Sequence, residues 1–360
     1  MYRFVRYTAF LILAFLAAVY LTFWPTGIAP VAWEASDDPG LTGMFEPNPD
    51  LAALDILVPG EEHGPEDLAL GPNGDIWTTT AEGGLWRMAP DALELSYVGP
   101  LAGRPLGLEF GPDGALYIAD SYLGLLRWTP DGGSEVLVDE IGGIPLRYAN
   151  QIDVASDGTV YFSVSTWRHD PEALGGTLAS SVIDLWEHRL TGSVWSWKDG
   201  EIAEVARGFS FANGIALTPD ESALLLAETG GYRIWRIALG ADGPGEPEVI
   251  LDALPGFPDN IQAQGDGTFW VGIVSPRRAI ADMLGPYPGL RNVIWRLPEA
   301  VRPKPVLHGI LMRIDANGEV LDVMQDPDGG MHTVTGGLIV GERLFVSSLS
   351  SAGLGVMPRP

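Results

Sequence analysis

Residues 67–79 read DLALGPNGDIWTT: an apolar strand, a turn carrying Asn73 and Gly74, then a second strand of aromatic and β-branched residues. An Asn-Gly or Asp-Gly turn between two such runs is the signal of a β-hairpin. The phrase returns as GLEFGPDGALYIA at 107–119, QIDVASDGTVYFS at 151–163, GIALTPDESALLL at 214–226, NIQAQGDGTFWVG at 260–272 and TGGLIVGERLFVS at 335–347. The turn positions Gly74, Gly114, Gly158, Glu221, Gly267 and Gly341 are spaced by 40, 44, 63, 46 and 74 residues. Four strands and their turns need about 40–50 residues, the size of one propeller blade. A second phrase interleaves with the first, as LWRM at 85, LLRW at 125, VWSW at 194, IWRI at 234 and LMRI at 311. These read as third strands, each followed by a turn and a fourth. The repeat therefore predicts an all-β, six-bladed propeller over residues 50–360. Its last blade runs out of chain at GLGVMPRP (353–360), so LDILVP (54–59) is expected to supply the missing outer strand and close the ring.

The two long gaps locate insertions. From turn position to third strand is 11 residues in the first two blades, but 36 in the third and 44 in the fifth. Both extra segments, Trp167–Arg189 and Ser275–His308, fall between second and third strands. That connection returns to the face where each inner strand begins, so both should cover one end of the central channel as a lid or pocket wall. The second contains the amphipathic run AIADMLGPYPGLRNVIWRLPEAV (279–301), which could instead lie on a membrane surface.

Composition narrows the function. There are 47 acidic and 21 basic side chains, a formal charge of −26, which argues against nucleic-acid binding through a basic patch. The absence of cysteine excludes disulfides, thiolate metal sites and cysteine nucleophiles. No Gly-x-Ser-x-Gly elbow occurs, which speaks against a serine esterase. At the amino terminus Thr8–Trp24 carries no charge and follows Arg3 and Arg6. The bulky Phe23, Trp24 and Pro25 suit an uncleaved anchor over 1–24 better than a cleavage site. The flanking arginines would keep that end in the cytoplasm and place the propeller on the extracytoplasmic side. Residues 25–49, rich in Pro and Gly, read as a linker.

Inner strands run down the channel, so the residue entering each one points at the axis. Counting eight back from the turn positions gives Glu66, Leu106, Asn150, Asn213, Asp259 and, with a register free to slip by a residue or two, Thr333; Asn260 follows Asp259. Two carboxylates and several amide oxygens from different blades make a hard-oxygen set. It suits Ca²⁺ better than Mg²⁺ or zinc, as a catalytic ion or as a structural one pinning the blades.

The run ARGFSFANGIALTPDESALLLAETGGYRIWRI (206–237), with LPGFPDNI (254–261) and GTFWVGIVSPRR (267–278), resembles the signature region of the strictosidine synthase-like family. So do GRPLGLEF (103–110), ADSYLGLL (119–126) and the stretch from LGPYPGLR (284–291) to RPKPV (302–306). The family includes adipocyte plasma membrane-associated proteins and is related to paraoxonases and to SMP-30/gluconolactonase-type lactonases. The resemblance implies a six-bladed propeller, often behind an uncleaved anchor, with calcium at the channel mouth. In the paraoxonase branch a Glu, two Asn and an Asp-Asn pair hold that ion, which matches Glu66, Asn150, Asn213, Asp259 and Asn260. Two departures stand out. Leu106 occupies the position of a paraoxonase histidine proposed to act in activating water. At the sixth-blade entry, where strictosidine synthases use a glutamate for Pictet-Spengler condensation, this chain has HTVTGG (332–337).

The expected activity is calcium-dependent hydrolysis of lactones or aryl esters. Asp259 would orient the attacking water, and His332 is a candidate for proton transfer. Tyr148, Trp167 and Trp295 could shape an apolar pocket, and spacing assigns no role to His63, His169, His188 or His308. The alternative is a non-catalytic, membrane-anchored binding propeller with structural calcium. Oligomeric state is not readable from the sequence.

Overall fold

The computed structural model describes residues 2–360. Six antiparallel sheets form the blades of a propeller. The first blade is hydrogen-bonded in the order Leu68–Leu70, Ile76–Thr79, Gly84–Met88 and Ser96–Pro100. The inner strands of the next five are Pro105–Phe110, Ala149–Val154, Ala212–Leu217, Gly256–Ala263 and Val334–Val340. Strands packed on both faces lose the polar alternation of a half-exposed sheet: every residue of Ala223–Glu228 is buried. Apolar side chains fill the wedges between blades, as where Trp270 and Leu311 of the fifth meet Leu344 and Val346 of the sixth. Each large side chain so buried stabilises the fold by about 1.5–3 kcal/mol.

The ring closes as the sequence predicts. Asp55–Leu57 pairs with the last strand, with Asp55 opposite Val356 and Leu57 opposite Leu354. Glu221, the one turn position without glycine, adopts φ 53°. Its carboxylate offsets that strain by accepting from the amide of Ser156 at 2.7 Å and from its hydroxyl at 2.9 Å. Inner strands approach closely near the axis. A Cβ on Gly214 would sit 2.4 Å from the carbonyl oxygen of Asp259, so only glycine lets the fourth and fifth inner strands meet there.

Among the described residues four α-helices lie outside the blades: α1 (Tyr2–Phe23), α2 (Thr177–Glu187), α3 (Ala279–Leu284) and α4 (Pro288–Trp295). The apolar α1 has no buried residue from Arg3 to Phe23 and is long enough to cross a membrane. The other three occupy the two insertions over the channel face, α2 in the third blade and α3 and α4 in the fifth.

Residues 25–49 depart from the expectation of an unpacked tether. Val31 donates to the carbonyl of Glu187 at 3.0 Å and Trp33 to that of Gly285 at 3.2 Å, so this segment bridges the two insertions. Arg277 donates to the carbonyl of Ser36 at 2.8 Å, and the side-chain amide of Asn48 to Val323 O at 2.9 Å.

Candidate functional site

The site begins with backbone that leaves the usual strand conformation. Gly64, Tyr148, Phe211 and Thr333 have φ of 60°, 62°, 64° and 47°. The first three stand two residues before Glu66, Asn150 and Asn213. By the same rule the sixth-blade counterpart is Thr335, and strand pairing agrees, with Val334 opposite Ser348 as Ala149 is opposite Val164. The expected Thr333 therefore lies two residues early, on the pocket rim, and Thr335 donates its hydroxyl to the carbonyl of Glu66 at 2.6 Å. A left-handed non-glycine residue costs about 1–3 kcal/mol, and such strain clusters at functional sites. Tyr148 and Phe211 face each other edge-on, 5.3 Å apart.

Glu66, Leu106, Asn150, Asn213 and Asp259 are all buried, and all line one pocket. Hydrogen bonds decide which way the amides point. Thr229 spends its hydroxyl proton on the carbonyl of Pro258 at 2.7 Å, so it can only accept from the Asn213 side-chain nitrogen, at 3.1 Å. Asn150 donates to the Ser165 hydroxyl at 2.8 Å. Asn260, buried but not among the residues lining the pocket, donates to the carbonyl of Glu66 at 2.9 Å. The Oδ1 atoms of Asn150, Asn213, Asn260 and Asp259 are buried without a donor.

A buried polar atom without a partner costs about 1–3 kcal/mol, so several in one place call for a ligand. Carboxylate and amide oxygens fit a hard divalent cation such as calcium. Among the described residues no group of three or more His, Cys, Asp or Glu side chains could hold a metal, so such a site depends on the asparagines. Burial raises the pKa of Asp259 well above the ordinary carboxylate range, and the neighbouring charge of Glu66 raises it further. Glu66 is raised by burial and partly relieved by Arg104, whose guanidinium donates to it at 2.8 Å. A bound dication would reverse this balance.

Over the ring lies a mostly apolar pocket of about 170 Å³. Leu178, Val182, Leu185 and Trp186 of α2 form one wall, and Tyr232, Phe257 and Val274 another. Arg291, buried in α4, pins the lid by donating to the carbonyls of Trp186 at 2.7 Å, Gly285 at 3.1 Å and Val31. Neither Trp167 nor Trp295 lines the pocket. Trp167 donates to the Ser193 hydroxyl at 2.7 Å, and Trp295 stacks under Arg302.

The histidines exchange places. His332 is not among the pocket residues; its ring meets the Thr333 hydroxyl at 3.2 Å. His188, to which spacing assigns no role, lines the pocket and stacks on Trp33 with ring centroids 3.7 Å apart. Burial pushes its pKa down to about 3, with the charges of Arg291 and Arg233 adding to the effect, so the imidazole is neutral near pH 7. Trp33 and His188 lie outside the blade repeat, and no periodicity could have found them.

Comparison with known proteins follows the same lines. A family model described as "Strictosidine synthase-like, N-terminal" matches residues 43–88, and one described as "SMP-30/Gluconolactonase/LRE-like region" matches 72–281. The strictosidine synthase-like 13 protein of Arabidopsis thaliana is 36% identical over 240 residues, covering 64% of this chain and 57% of its own length. The adipocyte plasma membrane-associated protein of Danio rerio is 31% identical over 347 residues, 89% of this chain and 81% of its own. Among solved structures, a gluconolactonase from Xanthomonas campestris superposes with a TM-score of 0.62 at 18% identity, covering 92% of this chain and 98% of that one.

Proposed function

The chain belongs to the strictosidine synthase-like family of SMP-30/gluconolactonase-like propellers, and from that premise we propose that it is a calcium-dependent hydrolase of lactones or aryl esters. One observation carries the reading: Asn150, Asn213 and Asp259 present unpartnered buried oxygens at the floor of an apolar pocket. Glu66, Asn150, Asn213, Asp259 and Asn260 would hold the ion. When bound, calcium supplies the charge that polarises a substrate carbonyl and stabilises negative charge on its oxygen. The chain's own residues do the rest. The apolar walls exclude water and seat the body of the substrate. Asp259 orients the attacking water and accepts its proton. Neutral His188 offers a hydrogen bond without a competing charge. The helix α1 anchors the protein, with the propeller on the extracytoplasmic side.

The entry of the sixth inner strand offers threonine and no carboxylate, which leaves Pictet-Spengler condensation without its base. A second reading, a binding propeller with structural calcium, is favoured by Leu106, which puts an apolar side chain where the paraoxonase resemblance expects a histidine. Turnover of a panel of lactones and aryl esters separates the two. The hydrolase reading expects turnover that chelation abolishes, calcium restores and Asp259→Asn lowers at least about a hundredfold. Calcium-dependent stabilisation with no turnover on any member would establish the binding reading instead.

A further inference from the structure

The second insertion departs in charge from the rest of the molecule. In a chain of formal charge −26, residues 277–308 hold six arginine and lysine side chains against two carboxylates, Asp282 and Glu299. Arg277 and Arg291 are buried in structural hydrogen bonds, whereas Arg278 and Lys304 are exposed at the mouth of the pocket. The same segment exposes apolar side chains that nothing in the fold covers: Ile280 at 44%, Met283 at 69%, Tyr287 at 56% and Leu290 at 51%.

What lies next to this surface identifies its partner. The end of α1 is bonded to the end of α4. The Arg296 guanidinium donates to the carbonyls of Trp24 at 2.6 Å and Leu21 at 3.1 Å, and the Tyr20 hydroxyl donates to the carbonyl of Arg296 at 3.2 Å. Thr26 donates to the side-chain oxygen of Asn292 at 2.8 Å. A helix that leaves the bilayer at Trp24 thus delivers α4 to the level of the lipid headgroups. Exposed apolar residues flanked by cations are the composition of an interfacial segment, favoured by anionic lipid.

We propose that the α3–α4 insertion docks on the surface of the membrane that holds α1, with Ile280, Met283, Tyr287 and Leu290 entering the headgroup layer and Arg278 and Lys304 meeting anionic lipid. The pocket mouth then faces the bilayer. This rests on α1 being an anchor and is independent of the hydrolase reading.

The cysteine-free chain permits a direct test. Full-length Met283→Cys, Leu290→Cys and Asn73→Cys carry an environment-sensitive fluorophore and are reconstituted into phosphatidylcholine vesicles with or without phosphatidylglycerol. Asn73 lies in a hairpin turn at the opposite end of the channel. The expected result is blue-shifted emission at 283 and 290, quenched several-fold more by shallow spin-labelled lipid than at 73, and stronger with phosphatidylglycerol. Emission at 283 and 290 equal to that at 73 in vesicles that float with the protein overturns the docking while keeping the anchor. Shielding without lipid quenching, as when a second copy or a soluble protein covers the face, overturns it too. Failure to float removes both anchor and docking, and leaves the turnover test untouched.

Discussion

Two buried aspartates, Asp259 at the channel mouth and Asp184 in the lid, keep carboxylate oxygens that no donor reaches, Oδ1 of the first and both oxygens of the second. Burial pushes both pKa values upward, Asp184 to about 7. Their surroundings differ. Around Asp259 stand other oxygen donors, from Glu66, Asn150 and Asn213. Asp184 has His169 at 4.0 Å, and His169 is itself engaged with Glu187 at 3.2 Å. A lone buried acid satisfies itself with a proton, whereas a set of oxygens drawn from four blades is suited to sharing a cation. An unpartnered carboxylate is therefore not by itself a metal site; convergence is the criterion.

The strongest way to break that distinction is at the ring position that brings no oxygen. Leu106 is buried against Tyr148 and Phe211. Leu106→Ala should cost about 2–5 kcal/mol by denaturant unfolding, as cavity-forming core substitutions do. The calcium-induced rise in stability should persist; its loss would mean that the ring acts through packing and not through ligation.

The next effect bears on the charges. Calcium at a hundred times its Kd should stabilise the wild-type protein by about 2.7 kcal/mol. The double variant Glu66→Gln, Asp259→Asn should show no such rise. In chelator the double variant should be less stable than the wild type, because Glu66→Gln leaves the buried Arg104 guanidinium without its carboxylate, so the calcium response is read against each protein's own calcium-free value. A double variant that still responds to calcium would place the ion elsewhere.

A smaller effect separates Asp184 from this pair. Its folded-state pKa of about 7 lies above the ordinary value near 3.8, so its contribution is full below about pH 4 and lost as pH rises through about 7. His188 works in the opposite sense: its pKa, depressed to about 3, gives stability present above about pH 6.5 and lost as pH falls toward 3. Wild-type melts blend the two. Asp184→Asn removes the first, so its stability relative to wild type should grow by about 2–3 kcal/mol between pH 5 and pH 8. A difference that is flat with pH would mean that Asp184 is ionised in the fold.

The channel mouth was legible in the sequence because five inner hairpins have nearly equal loops. From Leu70 to Ile76, Phe110 to Leu116, Val154 to Val160 and Ala263 to Phe269 the chain spans the same distance, and from Leu217 to Leu224 one residue more. Counting back from the turn then lands on the axis. In the sixth blade Val340 pairs with Arg343 across only Gly341 and Glu342, and the count overshoots to Thr333. The lid had no such ruler. Trp33, His188 and Arg291 come from a linker and two insertions without a repeat, and their meeting depends on tertiary contacts that no spacing encodes. The acid in the lid and the ring at the channel differ in the same way: one is an accident of packing, the other a position repeated around an axis.

The smallest predicted effect tests the asparagines themselves. Ser165 and Thr229 each take the amide nitrogen of an asparagine and so turn its oxygen into the pocket. Ser165→Ala leaves Asn150 free to rotate and should cost about 1 kcal/mol of stability, the usual worth of one hydrogen bond. Calcium affinity should fall a few-fold in the same variant, because half of the amide orientations now present nitrogen to the ion. Asn150→Asp in the Ser165→Ala background restores an oxygen in either orientation, and should recover the affinity without recovering the stability. If affinity instead follows stability through both changes, Ser165 supports the strand and does not aim the ligand.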